Sequence, residues 1–265
     1  MIEEHIDKHK LRNKIRLLFD YRLFSELSAL DIHESVESKN EFTEYLIELQ
    51  TAIYHLDAHL EANWILNTQT MDWHWQNIIT QLSFFDISPE RANEYLNHIR
   101  KYEKHERELR QGKTPLRFDM EYFYFYKSCD VKLLRRLIYE KYQLSGLAGK
   151  LADWRYYDLV TEVNDDIEDI FEDLNFINGN RFLISLLKCG KIETRRVFSE
   201  FLNEICQRTK ERFNSGKGSF QKMLLDITMR RYTETIGLLE IQLDKITEND
   251  LKTSRLMIFK EAIVI

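Results

Sequence analysis

The chain has 265 residues, 38 of them Lys or Arg and 44 Asp or Glu, giving a formal net charge of −6. Only 2 Pro and 8 Gly occur, about a third of the usual share, which argues against folds rich in tight turns such as sandwiches, barrels and Rossmann-type sheets. With 31% charged and 43% hydrophobic residues, the composition excludes a disordered or membrane-spanning chain and predicts a soluble all-α protein with a substantial core.

Apolar residues recur at helical spacing through most of the chain. Ile2, Ile6, Leu11, Ile15 and Leu18 predict a first helix over 2–19, and a second is expected over 21–37. Ser38-Lys39-Asn40 reads as a break before a long helix to Asn67, followed by an aromatic-rich helix from Met71 to Phe85. Ser88-Pro89-Glu90 is a helix start, with Ser as N-cap and Pro at the first helical position. That helix is expected to end near Arg110, before the loop Gln111-Gly112-Lys113-Thr114-Pro115.

Long helices are then expected over 117–144 and 148–175, parted around Ser145-Gly146. Asn178-Gly179-Asn180 is the next break. A short helix from Arg181 should stop at Gly190, and the pattern continues over 191–213. A loop at Ser215–Ser219, a helix over 220–245 and a last helix capped at Asn249-Asp250 complete the reading. No break looks like a linker, so a single-domain bundle of about ten helices is expected.

Cys129, Cys189 and Cys206 are odd in number, widely spaced and form no CxxC pair, which suits a reduced interior better than a disulfide framework or a zinc ribbon. The opening Met1–His5 is too polar for a signal peptide, and no run of 18 apolar residues occurs, so a cytoplasmic protein without a transmembrane segment is expected. The acidic balance predicts no nucleic-acid partner. The basic run Lys8, Lys10, Arg12, Lys14 and Arg16 offers a peripheral membrane contact, although such runs are usually the solvated face of a helix.

The most informative stretch is Val163-Asn164-Asp165-Asp166-Ile167-Glu168-Asp169-Ile170-Phe171-Glu172-Asp173. On a helix, Asp165, Asp169 and Glu172 fall at i, i+4 and i+7, with Glu168 beside them. Carboxylates sharing a face repel one another unless solvent or a cation relieves them, and Mg2+ bridges carboxylates to substrate phosphates. The aromatic and apolar segment 151–160 just upstream suggests a helix packed in the interior, where carboxylates need a reason.

At these residues the chain resembles the class I isoprenoid synthases. Asp165-Asp166-Ile167-Glu168-Asp169 is similar to the second DDxxD motif of prenyl diphosphate synthases, and Asp165, Glu168 and Asp169 to the DxxED of squalene and phytoene synthases. Asn164, Asp165 and Glu172 match part of the NSE motif of terpene cyclases, with Glu168 where that motif has Ser or Thr. The resemblance implies a facing acidic helix, for which Asp57 and Glu61 are the candidates, with Ala58 in place of a second Asp. Met120–Asp130 looks like the aromatic helix with a polar break that lines a prenyl pocket, and Arg230-Arg231-Tyr232 resembles the Arg-Tyr pair of terpene cyclases.

The resemblance implies an isoprenoid-synthase-like bundle around a central cavity and a Mg2+-dependent enzyme that ionises a prenyl diphosphate. It is compatible with a homodimer. Asp57, Glu61, Asp165, Glu168, Asp169 and Glu172 would be the metal ligands. Basic donors for the departing diphosphate would come from Arg117, Lys127, Arg181 and Arg231, with Lys113 and Arg136 as further candidates; Arg suits phosphate oxygens through its bidentate fork. Two other classes remain open. A helical di-iron carboxylate protein would use the cluster His55, Asp57, His59 and Glu61, although no Glu-x-x-His pair occurs. A non-enzymatic helical scaffold or binding protein would leave both acidic faces in solvent.

Overall fold

A computed structural model describes residues 8–213 and 218–259. The expected positions Ile2 and Ile6, and most of the loop at 215–219, lie outside the described residues. Within them the regular structure is entirely helical, with twelve α-helices and four short 3-10 turns. The helices are α1 (Lys8–Tyr21), α2 (Phe24–Ala29), α3 (Val36–Ala62), α4 (Thr68–Leu82), α5 (Pro89–Leu109), α6 (Met120–Lys127), α7 (Cys129–Lys141), α8 (Arg155–Glu168), α9 (Ile170–Asp173), α10 (Arg181–Phe213), α11 (Ser219–Lys245) and α12 (Glu248–Thr253). No helix among the described residues is long and apolar enough to cross a membrane.

The main departure from the sequence reading lies early in the chain. The helix expected over 21–37 shrinks to α2, and the break expected at Ser38-Lys39-Asn40 lies inside α3. Leu23 takes a left-handed conformation with φ 58° and ends the first helical run. The Asp31 carboxylate then accepts the His33 and Glu34 backbone N–H groups at 2.7 and 3.0 Å, a local turn that competes with helix. The Ser35 hydroxyl accepts the Ser38 N–H at 3.2 Å and so opens α3 ahead of the expected break. Elsewhere the two long helices expected over 117–144 and 148–175 are each divided, at Ser128 and at Asp169.

The chain forms two compact units that interleave in sequence. Among the described residues, the first holds 8–59, 65–97 and 130–151, and the second 60–64, 98–129, 152–213 and 218–259. In the first unit Ile15, Leu18, Leu46, Leu49, Leu134 and Ile138 are buried. Phe19 meets Phe24 edge-on at 5.2 Å, and Phe42 meets both Phe85 and Tyr142. Two buried arginines belong to this unit: Arg22 lies over the Tyr21 ring and Arg135 over Phe24. Such placement recovers some of the cost of desolvating the guanidinium.

The second unit is centred on α8, which lies against α11, α10 and α6. Leu159, Val160, Val163 and Ile167 of α8 join Phe123, Phe182, Phe198, Leu202, Ile205 and Leu239 in one apolar cluster. Burying such side chains contributes about 1.5–3 kcal/mol each. Helix α10 contains a kink at Gly190, whose φ of 76° suits a residue without Cβ.

Candidate functional site

The acidic stretch divides into two rows. Asp158, Glu162 and Asp166 stand at i, i+4 and i+8 of α8 and are all buried, at 3%, 5% and 1% exposure. Asp165 and Asp169 are half-buried at the rim, while Glu168 and Glu172 are exposed. The helix also stops at Glu168, and Asp169 has ψ near 4°, so the expected continuous face through Glu172 is interrupted. The sequence reading singled out the rim row. The buried row carried the same four-residue spacing one position along, in phase with the apolar residues of α8.

Asp166 is fully engaged. Its Oδ2 accepts the Tyr124 hydroxyl at 2.9 Å and the Arg181 backbone N–H at 2.8 Å, and its Oδ1 pairs with Lys127 Nζ. Tyr124 is buried, and burial together with the Asp166 charge pushes its hydroxyl well above the usual range. For Lys127, burial disfavours the ammonium, but Asp166, Glu162 and Asp173 more than offset it, so it titrates well above a free lysine.

The turn at Asn178-Gly179-Asn180 completes this network. Asn180 Nδ2 donates to the Asp166 carbonyl at 2.7 Å and to Asp173 at 2.6 Å, while its Oδ1 accepts Leu183 N–H at 2.8 Å. Asn180 thus caps α10. Asn178 Nδ2 donates to Asp173 at 2.6 Å and to Glu61 at 3.2 Å. The Gly179 N–H points at the Glu106 carboxylate, at 3.1 and 3.2 Å from its two oxygens. A Cβ on Gly179 would stand 2.5 Å from Glu106 Oε1, so the close approach requires glycine. Burial pushes Asp173 up to about 6, against the opposing pull of its bonds from Asn180 and Asn178.

The candidate phosphate donors fare unequally. Lys127 is tied to Asp166. Arg181 is buried and donates to the Pro115 and Phe118 carbonyls, both at 2.9 Å. Arg117 pairs with Glu108 and lies over the Phe118 ring, and Lys113 stands 3.5 Å from the same Glu108. Arg136, in the first unit, bonds Glu94 at 2.7 Å. Arg231 differs from these: it reaches from α11 to 3.9 Å from Asp165, and also stands 3.6 Å from Glu234. Asn164, beside Asp165, donates to Thr235 on α11 at 3.0 Å. The neighbouring Tyr232 turns to Asn203 on α10, at 2.6 Å.

Asp57 belongs to the first unit and Glu61 to the second, so their four-residue spacing straddles the division between units. Among the described residues, no three His, Cys, Asp or Glu side chains converge on a point that would hold a metal ion. Mg2+ asks for less, since it usually keeps several waters and takes one or two carboxylates plus substrate phosphates. Asp165 and Asp169 stand four residues apart and half-buried. No family model matches the chain, and neither a curated protein nor a solved structure matches it.

Proposed function

We propose that the chain is a Mg2+-dependent enzyme that ionises an allylic prenyl diphosphate, with its reaction centre at the C-terminal end of α8. The observation that carries this reading is the approach of Arg231 to Asp165. The two residues lie in separate stretches of sequence that each resemble part of a class I isoprenoid synthase. Helices α8 and α11 bring them together, with Asn164 fixed alongside by Thr235. The reading carries with it an isoprenoid-synthase-like arrangement of helices around a cavity and a cytoplasmic protein.

In the reaction the allylic C–O bond breaks and the electron pair leaves with the diphosphate. Arg231 supplies a guanidinium fork for the developing negative charge, an electrostatic role. Asp165 and Asp169 would hold Mg2+, which when bound neutralises the diphosphate; Glu168 and Glu172 lie one step further out. Asp166 and Lys127 do not take part directly, because each is committed to the other. They hold the end of α8 against α6 and the start of α10.

Diphosphate release from farnesyl or geranylgeranyl diphosphate, with and without Mg2+, tests the reading. Arg231→Ala should slow release by about 10²-fold, the usual effect of deleting one preorganised donor, and Asp165→Asn should abolish Mg2+-dependent release. Release that is absent in the parent protein, or unchanged in both variants, sinks it. A second reading, a non-enzymatic helical binding protein, is favoured by the exposure of Glu168 and Glu172 and by the internal partners of Arg117, Lys127 and Arg181. It predicts no release at all.

A further inference from the structure

The first unit contains a histidine contact that the proposed reaction does not use. His59, in the last turn of α3, and His74, on α4, have ring centroids 5.1 Å apart with planes inclined at 40°. His55 precedes His59 by one helical turn on the same face of α3. His74 is 7% exposed, and its Nδ1 is buried without a hydrogen-bond partner. A buried polar nitrogen left in that state is costly unless something else satisfies it.

The spacing of the two rings suggests what would satisfy it. Metal–nitrogen bonds of about 2.0–2.1 Å at tetrahedral angles place two imidazole centroids about 5 Å apart. We propose that His59 and His74 bind a divalent transition ion of the Zn2+ type. Water fills the remaining positions, because no three metal-binding side chains converge among the described residues. Nitrogen donors select Zn2+, Co2+, Ni2+ or Cu2+ over Mg2+, so this site is distinct in chemistry from the carboxylates of α8.

The structure supplies a reporter. The Trp73 ring meets the His74 ring edge-on at 4.9 Å and is 60% exposed. Titrating the full chain with Co2+ should quench Trp73 fluorescence with one equivalent bound. Zn2+ should reverse the quenching, and a large excess of Mg2+ should not. Trp73→Phe should remove the signal while calorimetry still detects binding. His59→Gln, at a half-buried position, should weaken Co2+ binding by about tenfold or more, with helicity checked by circular dichroism. His74→Gln should do the same, and His33→Gln, on a distant turn, should leave affinity unchanged. The proposal is overturned if the parent chain does not bind Co2+, or if folded His59→Gln binds it as tightly as the parent.

Discussion

Asp165 and Asp166 are neighbours on one helix and meet opposite fates. Asp166 is sealed among Tyr124, Lys127 and the Arg181 N–H, whereas Asp165, its immediate neighbour, sits half-open beside Arg231. A buried carboxylate whose two oxygens both already accept protein donors is a structural fixture. A half-buried rim carboxylate keeps contact with solvent. Acidity alone therefore does not identify a ligand; the phase of the residue on its helix does.

The largest expected contrast is in stability. Asp166→Ala takes the acceptor from the buried Tyr124 hydroxyl and the Arg181 N–H and the nearest anion from half-buried Lys127, and each buried polar group left unsatisfied costs about 1–3 kcal/mol. Chemical denaturation measures it, and a loss below about 1 kcal/mol would erase the distinction between the rows. Next, Gly179→Ala forces the Glu106 carboxylate off the Gly179 N–H. A loss of about 1–3 kcal/mol is expected, as for other overpacked sites.

A smaller effect concerns pH. Asp173 is raised from an ordinary 3.8 to about 6 in the folded chain. The folded state therefore prefers the protonated form. The stability this contributes is fully present below about 4 and is lost as pH rises through about 6. Denaturation midpoints of the parent should fall across that window relative to Asp173→Asn; parallel profiles would count against a titrating Asp173. Smallest of all, Asp165→Ala should change stability by less than about 1 kcal/mol, since its pair with Arg231 is long and partly solvated. A loss as large as that of Asp166→Ala would mean that the rim row is structural too.

Much of the fold was legible in the sequence. Ser88-Pro89 marked the start of α5, and scarce Gly and Pro marked an all-helical chain. Side chains that bond their own backbone were harder to read. Asp31 and Ser35 relocate a helix start by local hydrogen bonds that compete with an apolar period continuing on either side. Thr247, rather than the expected Asn249-Asp250, caps α12 through a reciprocal pair with Asp250. In the site, composition drew the eye to Asp165, Asp169 and Glu172, while the interior role of Asp158, Glu162 and Asp166 depended on which face meets α10 and α11. His74 gave no signal of its own, being a single histidine in an aromatic helix; only its approach to His59 sets it apart.

The interruption at Asp169 has an electrical consequence. A helix carries about half a negative charge at its C-terminal end, and α8 ends among Glu168, Asp169 and Glu172. The negative end of α8 meets a full negative charge at exposed Glu168, whereas Glu172 lies in the first turn of α9, where a negative charge is favoured. Raising ionic strength from 0.01 M to 1 M shortens the screening length from about 30 Å to about 3 Å. The Glu168 end of α8 should therefore gain rather than lose from added salt, the reverse of what a helix end dressed with matching charge would do.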